Sequence, residues 1–267
     1  MKKYILNRFL SYYFLDFSLL ERIGLWKRFL AHELFRTPTI KISDSKQFHV
    51  GSIHVISLPY RTDRRHYIQT QLKSCNISFE YFNAVDGHCL GANIQFFNRQ
   101  SIKNLTEGSK GCAASHINLW KAIARSKSKK ECLHIILEDD VIIKDDFVKS
   151  IRHEEFPADL DMLFFGGWNT RGRDINHFVS PKVFSCYNPR KGLYAYALTV
   201  EGASKLVKHS IPLDIIYGGI DTKVGKLVRQ GKIRAYHLYP PIVDVNFSLL
   251  SDIYNPSQPD KRLFERN

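Results

Sequence analysis

Apolar and polar residues alternate in blocks along most of this chain, and the period of the pattern switches between strand-like and helix-like values. Residues 53–58 (Ile-His-Val-Ile-Ser-Leu) are mostly apolar and short in run, as a buried strand requires. Thr62 can then cap a helix on which Ile68, Leu72 and Cys75 recur at i, i+4 and i+7, and 78–84 returns as a strand, completing a βαβ unit. The same reading predicts a helix over 112–125, a strongly aliphatic strand over 133–143, strands over 161–165, 193–199 and 234–239, and helices over 202–208 and 221–229. No internal repeat is present. Such alternation predicts an α/β fold: a mainly parallel twisted sheet with helices on both faces, whose ligand binds at the carboxyl ends of the strands.

The first 50 residues break this rhythm. Tyr4, Ile5, Leu6, Phe9, Leu10, Tyr12, Tyr13 and Phe14 crowd together, but Arg8, Asp16, Glu21 and Arg22 interrupt the apolar stretches well short of the roughly 20 residues that a membrane span needs. Residues 1–50 are therefore expected to form an amphipathic, helical extension ahead of a domain over 51–267. Its aromatic spacing and excess of Lys and Arg suit an anionic membrane surface. Packing as an extra helical layer on the domain is the alternative.

Charge and cysteine content narrow the partners. The net charge of +13 over 267 residues argues for an acidic partner, whether nucleic acid, an anionic membrane or a phosphorylated small substrate. No recognised nucleic-acid module accompanies the aromatic segments, so nucleic acid is not expected. The five cysteines are scattered and form no Cys-x-x-Cys pair, as for reduced thiols in a cytoplasmic protein without a zinc ribbon or disulfide framework.

Glu138-Asp139-Asp140 interrupts the aliphatic run 133–143. Carboxylates at the mouth of a buried strand are costly to desolvate, so positive charge is expected beside them, either a divalent cation or Lys and Arg side chains. Hard oxygen ligands suit Mn²⁺ or Mg²⁺. In extended chain Glu138 and Asp140 point to one side and Asp139 to the other, which makes Glu138 and Asp140 the expected metal pair. A solvated turn after the strand is the alternative.

Three further clusters carry candidate chemistry. Leu58-Pro59-Tyr60-Arg61-Thr62-Asp63-Arg64-Arg65 follows the first strand, and its three guanidiniums at a helix N-terminus oppose the dipole preference for acids there; a bound phosphate would resolve the conflict. In the stretch from Glu107 to His116, Gly108 and Gly111 allow close backbone approach and Lys110 can reach a phosphate, although the P-loop spacing is absent. His116 shares a helical face with Leu119, Trp120 and Ile123, which suits a hydrogen-bonded core histidine. Tyr217-Gly218-Gly219-Ile220-Asp221 opens a helix with an acid that is either an N-cap or a base fixed by the glycine turn.

Together these segments resemble glycosyltransferase family 25, the lipooligosaccharide galactosyltransferases of Gram-negative bacteria and their collagen-modifying relatives. The resemblance rests on His54-Val-Ile-Ser-Leu-Pro59 with Arg61 and Asp63-Arg64-Arg65, on Phe82-Asn-Ala-Val-Asp-Gly87, on Gly111-Cys-Ala-Ala-Ser-His116 with Leu119-Trp120, and on Ile136-Leu-Glu-Asp-Asp-Val141. Weaker matches follow at Tyr194-Ala-Tyr-Ala-Leu198 and Ile220-Asp221. It covers about residues 52–245 and leaves the first 50 residues outside.

The resemblance implies a GT-A type fold, a UDP-sugar donor such as UDP-galactose, and transfer of a hexose with inversion. Glu138 and Asp140 take the place of the metal-binding acidic motif, and Pro59, Arg61, Arg64, Ala84, Asp86, Lys110 and Asp139 would lie around the nucleotide. Asp221 is the first choice for the base, ahead of His116 and Asp244, and His237 would complete the metal shell from the last strand. The acceptor would be a lipid-linked oligosaccharide of the lipopolysaccharide core, reached at the cytoplasmic face of the inner membrane. Two other classes share these features: a metal-dependent nuclease or phosphotransferase, and a non-catalytic scaffold binding sugar nucleotide or lipopolysaccharide.

Overall fold

The computed structural model describes residues 44–144, 147–152, 154–166, 182–186, 192–215, 218–238 and 241–249. The expected N-terminal extension lies outside the described residues up to residue 43, and so does Tyr217. In chain order the elements are β1 (Ser45–Gln47), β2 (His49–Ser57), α1 (Thr62–Ser74), β3 (Glu80–Asn83), α2 (Arg99–Asn104), α3 (Glu107–Ala124), β4 (Cys132–Glu138), β5 (Val141–Ile143), α4 (Phe147–Arg152), β6 (Glu155–Pro157), β7 (Met162–Phe164), β8 (Val183–Cys186), β9 (Ala195–Leu198), α5 (Val200–Ser210), α6 (Ile220–Arg229), β10 (Ala235–Leu238) and β11 (Val243–Val245). Side-chain caps set several of the helix starts. Asn98 Oδ1 accepts from the Ser101 amide at 2.7 Å, Thr106 Oγ1 from that of Ser109 at 3.2 Å, and Thr199 Oγ1 from that of Gly202 at 3.0 Å. Thr62 is not a cap; Arg61 occupies that position without a capping side chain.

The central sheet has the order β3-β2-β4-β9-β7-β10-β8. Strand β2 runs parallel to β3 and β4, and β7 runs parallel to β10. Strand β9 is antiparallel to both of its neighbours, β4 and β7, and β8 is antiparallel to β10, so five of the seven strands share one direction. Alternating residues feed two cores. Ile136, Tyr196, Phe164 and Ala235 face one side, against Ile117 and Trp120 of α3, Leu206 of α5 and Val224 of α6. On the other side Val55, Ile135, Leu137 and Leu163 face Ile68 and Leu72 of α1 and Phe147 of α4. Helices thus cover both faces, which is why β4 reads as an almost continuous aliphatic run.

That run is not one strand. β4 ends at Glu138, Asp139 and Asp140 form a turn, and β5 leaves the central sheet to pair with β11. The Asn246 amide donates to the Asp140 carbonyl at 2.8 Å and ties the turn to the end of β11. Strand alternation therefore does not continue through the acidic triplet.

Candidate active site

A cleft of about 280 Å³ opens at the carboxyl ends of β2, β3 and β4. One wall is the end of β2 with the turn after it, including Ser57 and Tyr60. A second is the loop 84–88 after β3, and a third is the face of α3 carrying Gly108, Gly111, Cys112, Ser115 and His116. Glu138, Asp139 and Asp140 close the floor.

The loop and helix touch so closely that two glycines are obligatory. A Cβ on Gly111 would stand 2.6 Å from the Val85 carbonyl oxygen, and one on Gly87 would stand 1.7 Å from that of Glu107. Ser115 fastens the contact: its hydroxyl accepts from the Val85 amide at 2.8 Å and donates to the Gly111 carbonyl at 2.6 Å. Asp86 shapes the rest of the loop, taking the His88 amide at 2.9 Å and the Tyr60 hydroxyl at 3.3 Å.

The three arginines go three ways. Arg61 chelates Asp63 at 3.0 and 2.9 Å. Arg65 lies 4.5 Å over the Tyr81 ring and donates to Asn83 Oδ1 at 2.7 Å. Arg64, only 5% exposed, places Nη1 2.8 Å from Asp139 Oδ1 and 3.4 Å from Asp140 Oδ2. The charge conflict expected at this helix start thus meets carboxylates of the chain itself. It follows that Asp139 and Asp140 address Arg64 together, whereas alternation had paired Asp140 with Glu138.

One guanidinium does not balance three carboxylates. Burial pushes the Asp140 carboxyl up to about 7, with the Glu138 and Asp139 charges adding to it and Arg64 opposing. Asp139 is also raised by burial, against hydrogen bonds from Ser57 and Arg64. Asp140 Oδ1 is buried and has no hydrogen-bond partner among the described residues. A buried, unsatisfied carboxylate oxygen beside a second carboxylate is what a hard divalent cation satisfies, so the residues present fit Mn²⁺ or Mg²⁺ held by Asp140 and Glu138.

On its other side Glu138 meets a relay from the protein interior. Trp120 Nε1 donates to Tyr196 Oη at 2.8 Å, Tyr196 Oη lies 2.8 Å from His116 Nδ1, and His116 Nε2 lies 3.2 Å from Glu138 Oε1. An indole N–H only donates and a carboxylate only accepts. With a neutral ring, the tyrosine proton points to Nδ1 and Nε2 carries the hydrogen that reaches Glu138. His116 is thus a buried, fully hydrogen-bonded histidine that also reaches into the cleft.

The remaining candidates are dispersed. Lys110 is buried and paired with Glu107 at 2.6 Å on its own helix, so it does not point into the cleft as a free phosphate ligand. Pro59 sits in the turn between Leu58 and Tyr60, which line the cleft while it does not. Strand register aligns His237 with Phe164, Phe164 with Tyr196, and Tyr196 with Ile136. Three strand spacings, roughly 14 Å, therefore separate it from β4, too far to share an ion with Glu138 and Asp140. Its ring packs on Phe164 at 5.1 Å, and burial lowers its pKa to about 4. Asp221 is the second residue of α6, Gly219 being the N-cap, and its Oδ1 accepts from the Thr222 amide at 2.8 Å. Asp221 is not among the residues lining the cleft, although its charge, after burial and the charge of Glu138, helps to push the Cys112 thiol up. Asp244 is exposed on β11.

Ser115 and Tyr196 were not singled out by sequence. Ser115 carried a usable signal, one helical turn after Gly111. Tyr196 comes from β9, far away in sequence, and reads there as one more core residue.

The family model for glycosyltransferase family 25 (LPS biosynthesis protein) matches residues 51–218, more than half of the chain. The chain belongs to glycosyltransferase family 25. The match takes in every cleft wall but ends before Asp221 and His237. Among family relatives, the lipooligosaccharide biosynthesis protein lic2B of Haemophilus influenzae is 27% identical over 168 residues, 58% of this chain and 62% of that protein. The procollagen lysyl hydroxylase and glycosyltransferase of Acanthamoeba polyphaga mimivirus is 25% identical over 242 residues, 78% of this chain, and the procollagen galactosyltransferase 2 of Mus musculus is 26% identical over 172, 58% of this chain. The chain spans about a quarter of these last two, 26% and 27% of their lengths. A solved Drosophila β1,4-galactosyltransferase 7 mutant, in complex with manganese, UDP-Gal and xylobiose, is also similar at 11% identity and a TM-score of 0.37, over 82% of this chain and 80% of that one.

Proposed function

We propose that this family 25 chain is an inverting, nucleotide-sugar-dependent glycosyltransferase that moves a hexose, galactose from UDP-galactose, onto a lipooligosaccharide or lipopolysaccharide core acceptor. The observation that carries this reading is the meeting of two features at the strand ends. One is a carboxylate cluster with an unsatisfied buried oxygen; the other is a loop pressed onto α3 by glycine contacts, with backbone lining the cleft beside it. The relatives named for lipooligosaccharide biosynthesis and procollagen galactosyl transfer support the acceptor and donor classes.

The nucleotide would lie along 84–88, with Tyr60 offering its exposed ring and Asp86 a carboxylate. Asp140 and Glu138 would hold Mn²⁺ or Mg²⁺, which when bound supplies charge neutralisation for the diphosphate leaving group. Arg64, itself on the cleft wall, keeps Asp139 and Asp140 in place. Asp221 would take the proton from the acceptor hydroxyl as its oxygen bonds to the anomeric carbon and the bond to the diphosphate breaks. The basic surface and the N-terminal segment would seat the enzyme on the cytoplasmic leaflet, beside a lipid-linked acceptor.

Turnover tests the reading. Purified chain with Mn²⁺ and a panel of UDP-sugars is expected to release UDP, faster with a terminal-glucose acceptor; no release from any donor, with or without acceptor, overturns it. Asp140→Asn is expected to weaken metal-dependent donor binding, whereas Asp221→Asn spares binding and abolishes transfer.

A further inference from the structure

The carboxylate of Glu138 has a second set of neighbours that the hard-ion reading leaves unused. Cys112 and His116 stand four residues apart on α3, on one helical face, and both line the cleft. The thiol sulfur of Cys112, a ring nitrogen of His116 and a carboxylate oxygen of Glu138 all lie within 4.8 Å of one another. We propose that Cys112, His116 and Glu138 form a site for a borderline-soft divalent cation, Zn²⁺ first among them, distinct from the oxygen-only position between Glu138 and Asp140.

Geometry supports the assignment. Two ligands about 2.0–2.1 Å from one zinc at a tetrahedral angle stand about 3.3 Å apart. His116 Nε2 and Glu138 Oε1 are 3.2 Å apart. The sulfur completes a triangle of one thiolate, one imidazole and one carboxylate, a donor set that favours Zn²⁺ over Mg²⁺ or Mn²⁺. Three protein ligands on a cleft wall leave a fourth position for water or a bound molecule, as in open zinc sites.

The support behind the ligands is also in place. A metal-ligating histidine needs its other ring nitrogen held by a second group. Nδ1 of His116 is 2.8 Å from Tyr196 Oη, itself fixed by Trp120 Nε1 at 2.8 Å. Binding releases the thiol proton to solvent and moves the imidazole proton from Nε2 to Nδ1. The two lone pairs of Tyr196 Oη then accept from Nδ1–H and from Trp120, and the tyrosine hydroxyl rotates its own hydrogen away from Nδ1.

The test uses the full chain freed of metal and titrated with Co²⁺ as a spectroscopic probe, then with Zn²⁺ in competition. The expected result is a near-ultraviolet sulfur-to-cobalt charge-transfer band that Zn²⁺ bleaches. Cys112→Ser is expected to remove the band, and Tyr196→Phe to keep it while weakening binding about 10- to 100-fold. Asp140→Asn is expected to keep the band, because Asp140 supplies no ligand to this site. Four other free cysteines are present, Cys75, Cys89, Cys132 and Cys186, so a variant retaining Cys112 as its sole cysteine must keep the band. Cobalt bound without the band, a band that survives Cys112→Ser, or a band lost from the Cys112-only variant overturns the site. If Cys112→Ser does not fold, the wild-type spectrum and the Cys112-only variant decide. The readout needs no turnover, so its failure is separate from any failure of glycosyl transfer.

Discussion

Arg64 and His237 are opposite cases of a buried basic side chain. Arg64 compensates charge: its guanidinium is the close partner of Asp139 and Asp140 in a pocket lined by four carboxylates, those two with Glu138 and Asp86. Removing one member of a buried ion pair strands the other and costs roughly 3–5 kcal/mol. Arg64→Met is therefore expected to lower thermal stability markedly, with millimolar Mn²⁺ recovering part of the loss; equal melting temperatures for variant and wild type, without metal, would contradict the pairing. His237 carries the reverse burden. Its Nδ1 is buried with no hydrogen-bond partner among the described residues, and its pKa is lowered to about 4 from an ordinary 6.5. Between those values the unfolded chain binds the proton and the folded chain does not, so stability falls as pH drops through that window. His237→Leu is expected to flatten this acid-side loss, measured as a smaller difference in urea midpoint between pH 7.5 and pH 4.5 than in wild type.

At the scale of elements, the contact between α3 and the loop after β3 builds the cleft. Gly111→Ala puts a Cβ 2.6 Å from the Val85 carbonyl, and both partners are backbone, so neither yields cheaply. The expected cost is about 1–3 kcal/mol of overpacking, together with loss of nucleotide binding by calorimetry, because the loop must lift from the helix. A variant that binds UDP as tightly as wild type would show that the contact does not shape the site. The same contact shows what a sequence can carry. Periodicity locates β2, α1, β3 and the body of α3, because each buries one face and the period survives. It places the start of α3 five residues late, since Gly108 and Gly111 look unhelical and are kept for close approach to a loop the pattern does not reveal. It cannot give strand direction, so β9 reads as another parallel strand. It does not reveal that Asp139 and Asp140 share Arg64, because the turn there is set by β11, about a hundred residues later. Lys110 looked free beside two glycines, yet Glu107 one helical turn back had already engaged it.

For the whole molecule, the charge is divided in a way that separates two modes of membrane contact. Residues 1–40 hold seven of the 39 Lys and Arg and three of the 26 Asp and Glu, so +9 of the net +13 lies beyond residue 40. None of the described helices is long and apolar enough to cross a membrane. The attraction that the domain's net charge supplies toward an anionic surface is electrostatic and must fade when salt shortens the screening length from about 10 Å at 0.1 M to about 3 Å at 1 M. The aromatic N-terminal segment would add a term of a different kind, burial of apolar side chains, which salt does not screen. Sedimentation with phosphatidylglycerol vesicles should therefore resolve the two. The full chain is expected to bind at low salt and to keep part of that binding at 1 M, while a chain beginning at Lys41 binds at low salt and is released completely at high salt. Identical curves for the two chains would remove the N-terminal segment from membrane docking and leave the charged domain surface as the whole of the attraction.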